Sequence, residues 1–238
     1  MPPDAGTSIA SVPASRALVW YGDAMRLWKR GPVVMSVLGA ITIVSQFAFE
    51  VWPEAGSLVA KVVVPLVACG MLYAAEAAER GERPRLWHAI AAFRAPAGAI
   101  AAVVLSSAIT FAAEWFAADR LAGIDLLRPG GPPADFDAAT AFAVYAVGVV
   151  VSLPMTLVPL AALFGGASFG ASFAVSARAF ARAPGAFVAY GAIALALLTV
   201  GLLTLGIGLV IALPLIACAT WAAWRDFAPA GATPSAPA

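Results

Sequence analysis

The sequence predicts an all-α integral membrane protein, with six transmembrane helices arranged as three parallel repeats of an interfacial amphipathic helix plus a membrane hairpin. Three observations carry this. The 238 residues are 62% hydrophobic and 11% charged, against about 45–50% and about 25% in a soluble domain, so the chain could not cover a water-facing surface of normal polarity. Apolar stretches of roughly the 20 residues that a bilayer core requires recur along it. The segments that precede alternate stretches share one pattern.

Residues 1–15 are rich in Pro, Ala and Ser and lack a basic n-region and an apolar h-region, so they read as a disordered tail and not as a cleaved leader. Residues 228–238 read as a second tail. Between them, spans are expected near residues 33–52, 58–78, 97–118, 138–164, 185–203 and 206–224. The fourth is longer than one crossing needs and contains Pro154 and Pro159, so a tilt or kink is expected there. The turn between the fifth and sixth has no charge and must be made by Gly201, Gly206 and Gly208.

Each odd-numbered span follows an amphipathic stretch ending in Arg, a small residue and Pro: Arg30-Gly31-Pro32, Arg94-Ala95-Pro96 and Arg182-Ala183-Pro184. Proline fits such a junction, because it ends one helix and is tolerated in the first turn of the next. In the first stretch Leu18, Tyr21, Met25 and Trp28 share a face opposite Asp23, Arg26 and Arg30. Leu86, Ile90 and Phe93 align in the second, and Phe169, Phe173 and Phe180 oppose Arg178 and Arg182 in the third. These read as helices lying at the membrane interface, with Arg30, Arg94 and Arg182 placed to meet lipid headgroups.

The even spans also echo one another. Pro65-Leu66-Val67-Ala68-Cys69 returns as Pro214-Leu215-Ile216-Ala217-Cys218, and more weakly as Pro159-Leu160-Ala161-Ala162-Leu163. The repeats therefore cover about 16–79, 84–166 and 169–227, related by an axis along the membrane normal. Pro65, Pro159 and Pro214 are expected helix kinks. Two roles stay open for them: kinks that improve packing, or three hinges around a cavity.

Orientation follows from the basic residues. Arg16, Arg26, Lys29, Arg30, Arg80, Arg83, Arg85, Arg94, Arg178, Arg182 and Arg225 fall on one side, and only Lys61, Arg120 and Arg128 on the other. The positive-inside rule places both termini in the cytoplasm. All seven tryptophans fall near span ends, Trp20, Trp28, Trp87, Trp221 and Trp224 inside and Trp52 and Trp115 outside, as in an aromatic belt. Twelve Arg against two Lys and the absence of Asn fit a GC-rich bacterial genome.

Chemistry-bearing patterns are sparse. A net charge of +1 without a long basic run excludes a strongly basic nucleic-acid binder. His88 is the only histidine, and no nucleophile elbow, P-loop or dinucleotide fingerprint is present. No catalytic, cofactor-binding or metal-binding residue is expected. Cys69 and Cys218 sit in apolar runs as small hydrophobes. The four carboxylates Asp119, Asp125, Asp135 and Asp137 of the outer loop lack calcium-loop spacing. Glu50, Lys61, Glu76, Glu79 and Glu114 lie within about two turns of a span end, which weakens ion coupling. The deeper hydroxyls are mostly helix glue. Gln46, with Ser106 and Thr156, is the candidate buried polar contact or cavity lining.

Three segments carry a family likeness: the aromatic stretch before Lys29-Arg30-Gly31-Pro32, the Pro65 to Cys69-Gly70 span leading into Glu79-Arg80-Gly81-Glu82-Arg83-Pro84, and the ending Trp221-Ala222-Ala223-Trp224-Arg225-Asp226-Phe227. Over residues 15–227 the chain resembles an uncharacterised multi-span inner-membrane protein family of Gram-negative bacteria, which has no assigned activity; its members tend to carry Tyr where Trp224 stands. The layout also resembles membrane domains attached to glycerophosphodiester phosphodiesterases, whose catalytic domain has no counterpart in this sequence. The resemblance implies a multi-span inner-membrane protein and no catalytic residues. The expected class is a non-enzymatic component, accessory, scaffold or envelope-lipid-associated, whose partners are the bilayer, anionic lipids or other membrane proteins. The alternative is a small transporter or permease of lipids or apolar solutes, for which a midplane cavity lined by Gln46, Ser106 or Thr156 would speak, whereas a packed centre would speak for the scaffold.

Overall fold

The computed structural model describes residues 12–50, 56–126 and 137–228. Among these residues all regular structure is helical. Helix α1 (Arg16–Trp28) leads into the hairpin of α2 (Pro32–Glu50) and α3 (Gly56–Glu79). A 3-10 helix, Leu86–Arg94, precedes α4 (Ala97–Ala122) and α5 (Ala138–Ser152). A 3-10 turn, Leu153–Met155, then links α5 to α6 (Val158–Leu163). Helix α7 (Phe169–Arg182) precedes the last hairpin, α8 (Pro184–Leu203) and α9 (Leu209–Phe227). Six of these segments are long and apolar enough to cross a membrane, the fourth running Ala138–Met155. Most of the two tails, the middle of the outer loop and Trp52 lie outside the described residues.

Helices α2, α4 and α8 start, and α3, α6 and α9 end, at one end of the bundle, called here the basic end. Each of α1, the 3-10 helix and α7 lies on the helix that ends nearby: α1 on α9, the 3-10 helix on α3, and α7 on α6. The first long helix of each hairpin also touches the second one of another: α2 on α9, α4 on α3, α8 on α5. The centre belongs to α3 and α9, each 56% buried over its apolar window, against 22% for α2 and α4.

The 3-10 helix and α7 turn mainly small residues inward, and α1 buries two alanines beside Trp20 and Leu27. Helix α1 buries Ala17, Trp20, Ala24 and Leu27 while Leu18 and Met25 stay exposed. The 3-10 helix buries His88, Ala89, Ala91 and Ala92 and exposes Trp87, Ile90 and Phe93, as three residues per turn dictate. Helix α7 buries Ser172, Ser176 and Ala179 and exposes Phe169. The large apolar residues that align in the sequence thus mark mainly the outward stripe. Small residues permit closer backbone approach. At Gly70 of α3, an added Cβ would stand 2.7 Å from the His88 carbonyl oxygen and the Ala89 Cα.

The expected interfacial belt is corrected for three tryptophans. Trp20, Trp221 and Trp224 are buried in the bundle, at 1%, 4% and 3% exposure. Trp20 packs against Phe187, Tyr190 and Phe227, and Trp221 meets Phe164, which in turn meets Tyr73. Alanines 219, 222 and 223 of α9 leave the room that these rings fill.

Candidate functional site

Two polar constructions stand out at the basic end. The first is an ionic tie centred on Arg225, near the end of α9. Its guanidinium binds Glu79 Oε1 of α3 at 2.9 Å and Asp23 of α1, which also pairs with Arg26 at 3.2 Å. The neighbouring Asp226 accepts from Arg16 Nη2 and Nε, both at 2.7 Å, and from Trp20 Nε1 at 2.8 Å. The Arg16 guanidinium is held charged more firmly than usual by its bonds to Asp226. Tyr21 stacks on Tyr190, donates to the Tyr190 carbonyl at 3.2 Å, and has its phenol pKa pushed up by burial. The Tyr190 hydroxyl pairs with Thr220 at 2.7 Å. Helices α1, α3, α8 and α9 are thereby joined.

The second construction repairs the broken fourth crossing. Pro154 and Pro159 have no N–H, and the backbone between α5 and α6 leaves regular helix over residues 153–157. Such a break needs partners inside a bilayer. The buried Ser176 of α7 supplies them: its Oγ accepts from the Leu157 N–H at 3.0 Å and donates to the Pro154 carbonyl at 2.8 Å.

The candidate residues read from sequence are not gathered into one site by the bonds seen. Ser106 is buried and donates to Val103 O at 2.9 Å; Thr156 donates to Leu153 O at 3.0 Å. Both return to their own local backbone, a common habit of hydroxyls in apolar helices. Gln46 is half-buried on α2. Pro65 lies half-buried inside α3, and Pro159 opens α6. Pro214 is buried inside α9 where Gly39 of α2 comes close; a Cβ there would stand 2.8 Å from Val210 O and 3.1 Å from Pro214 Cδ. Arg30 donates to the Ala78 carbonyl at the end of α3, whereas Arg94 and Arg182 are exposed.

No protein-family model matches the chain, and neither does any curated protein or solved structure. The arrangement itself must carry the reading. Among the described residues, no group of three His, Cys, Asp or Glu side chains is placed to hold a metal ion. Cys69 and Cys218 are buried free thiols. His88 is buried, its Nδ1 accepts from the Arg85 N–H at 3.2 Å, and burial with the nearby Arg85 charge lowers its pKa.

At the opposite end of the bundle, α3, α4 and α5 bring together Lys61, Phe111, Glu114 and Gly148. The Lys61 ammonium lies 3.9 Å from the Phe111 ring centroid and acts electrostatically on Glu114. The Glu114 carboxylate fills the space that a side chain at Gly148 would need. Sequence reading set Glu114 near a span end; the structure seats it about 12 Å before the end of α4, at 1.5 Å per residue, between helices. Signals missed in the sequence include Asp23, Asp226 and Ser176, whose partners are remote in sequence or are backbone groups.

Proposed function

We propose that the chain is a non-enzymatic integral protein of a bacterial inner membrane, with both termini in the cytoplasm, acting as an accessory scaffold associated with envelope lipid. The observation that supports this reading is the closely packed junction of α3, α6 and α9 at the basic end. Tyr73, Phe164 and Trp221 interlock there, and Leu157, Leu160 and Cys218 are fully buried. A packed centre, tied at its basic end by ion pairs, suits a body that holds its shape and presents its outer faces. The cyclic contacts of short helix on long helix agree with the threefold repeat, which belongs to this same proposal. The basic bias supports the orientation.

The test of function is gentle extraction at natural expression level, followed by native mass spectrometry. A stoichiometric protein partner is expected. A protein that emerges alone and moves an apolar solute or lipid across proteoliposomes would replace the scaffold with the second reading, a small transporter or permease. What favours that second reading is the presence of both a broken crossing at residues 153–157 and, elsewhere in the bundle, the ionisable Lys61 and Glu114 between helices. Orientation is tested separately. Cysteines introduced singly at Leu205, 93% exposed in the α8–α9 turn, and at Gly81 should label from outside and only after permeabilisation, respectively. The reverse pattern overturns the orientation. Both native cysteines are buried, which keeps background low.

A further inference from the structure

An apolar groove of about 420 Å³ runs along the outer side of α2 against α9. It begins at Trp28 and Pro32 and descends past Ser36 to Ala40 and Val210. From Pro32 to Ala40 is about 12 Å at 1.5 Å per residue, so the groove follows the helix from the basic end inward. Val33 is 73% exposed on its wall, which opens it sideways to whatever surrounds the bundle.

The basic residues next to Trp28 and Pro32 in the sequence are unequally engaged. Arg26 is paired with Asp23, and Arg30 is turned onto the Ala78 carbonyl. Lys29, between Trp28 and Arg30, is exposed and makes no ion pair among the described residues. Ser36 lines the groove one turn below Pro32. The first-turn N–H groups of α2 begin at the same rim, adding a partial positive charge there.

We propose that this groove is a phospholipid site: one acyl chain lies along α2 between Pro32 and Ala40, and an anionic headgroup is held at the rim by Lys29, with Ser36 donating to an ester oxygen below it. The inference rests on reading the six long helices as membrane spans whose basic end lies at a headgroup layer. A shallow apolar groove that runs inward from the segment carrying the exposed Lys29 matches the charge order of an anionic lipid.

The experiment uses the full-length protein in nanodiscs containing equal phosphatidylglycerol and phosphatidylcholine with matched chains. Lipids retained after mild extraction are counted by native mass spectrometry. The wild-type protein should keep the anionic lipid about fivefold over the zwitterionic one, the factor that one basic side chain near a membrane surface provides. Lys29→Ala, an exposed change that leaves the fold alone, should bring that ratio close to one while a lipid is still held. Ala40→Phe, which fills the lower groove, should remove the bound lipid of either headgroup, with unfolding temperature as its control. Equal retention by the wild type, or an unchanged ratio in Lys29→Ala, overturns the proposal. Because the readout needs no protein partner, the scaffold reading can fail while this site stands, and the reverse.

Discussion

At the basic end of the bundle, Trp20, Leu27, Leu157, Leu160, Phe187 and Trp224 are nearly or wholly buried, and ion pairs and aromatic contacts cross between helices. At the opposite end α2, α4, α5, α8 and the α8–α9 turn leave Val44, Phe47, Phe116, Phe142, Val200, Leu203 and Ile207 exposed, and a small cluster around Ala118 and Val144 packs there. Hydropathy does not set burial from span to span. The most apolar span, α8, has a mean hydropathy of 2.3 and is 33% buried, whereas α9, at 1.3, is 56% buried. In lipid, apolar side chains gain little by leaving the solvent, so helices associate through close packing and polar contacts. The basic end has alanine faces and paired charges, and the other end mostly lacks them.

The widest separation between the two ends should come from paired hydroxyl deletions. Ser176→Val strands the Leu157 N–H and the Pro154 carbonyl in a buried place. At ~1–3 kcal/mol for each unsatisfied group, it should destabilise the protein by about 3 kcal/mol. Thr199→Val in α8 removes only a bond to Leu195 O of the same helix and should cost less than ~0.5 kcal/mol. Unfolding in detergent, followed by circular dichroism, measures both. Equal losses would erase the contrast.

Glycine substitutions sharpen it next. Gly70→Ala pushes a methyl into the backbone of the 3-10 helix at His88 and Ala89, and overpacking of this kind costs about 1–3 kcal/mol. Gly148→Ala first meets the Glu114 side chain, which can yield more readily than backbone, so its effect on stability should be smaller. If Gly148→Ala proves the more damaging, the Lys61–Glu114 region is stiffer than its exposed surroundings imply.

Arg225→Gln should lower stability by about 1 kcal/mol, because its pairs with Glu79 and Asp23 are one-third exposed and each such pair contributes ~0.2–1 kcal/mol. The loss should shrink in high salt. Arg94→Gln, on an exposed side chain, should fall within ~0.5 kcal/mol of wild type. A salt-independent loss at Arg225 would point to packing of its aliphatic stem instead of its charge.

These contrasts also separate what the amino-acid order reveals from what it hides. The six apolar lengths are visible, because a bilayer demands about 20 residues whatever surrounds them. The break in the fourth is foreshadowed by Pro154 and Pro159. The buried face of α1 is not: Leu18 and Met25 look more core-like than Ala17 and Ala24, yet lipid and protein both accept apolar groups, so hydrophobicity cannot say which side faces which. Arg225 and Asp226 look like ordinary end-of-span charges, since Asp23 and Arg16 stand 202 and 210 residues away in the chain. Gln46, Ser106 and Thr156 show the opposite limit. Polar residues at mid-span depth attract attention, but Ser106 and Thr156 merely close onto nearby backbone.

The smallest effect expected is a pH dependence confined to the packed end. His88 is buried in the 3-10 helix and accepts the Arg85 N–H, so its neutral form is the one the fold holds; burial first, and the Arg85 charge second, lower its pKa. In the unfolded chain the ring titrates near ~6.5. Between the folded value and that point the unfolded state binds more protons, so stability rises with pH through this window. It is fully present above about pH 6.5 and is lost as pH falls through the lowered folded value. Thermal unfolding of the wild type should therefore weaken on acidification below about pH 6.5, whereas His88→Gln, which cannot take up that proton, should show a flatter profile. An identical acid slope in the two proteins would move the titration elsewhere. A slope of the opposite sign would mean that the ring is charged in the fold, which its buried seat and its accepting bond with Arg85 oppose.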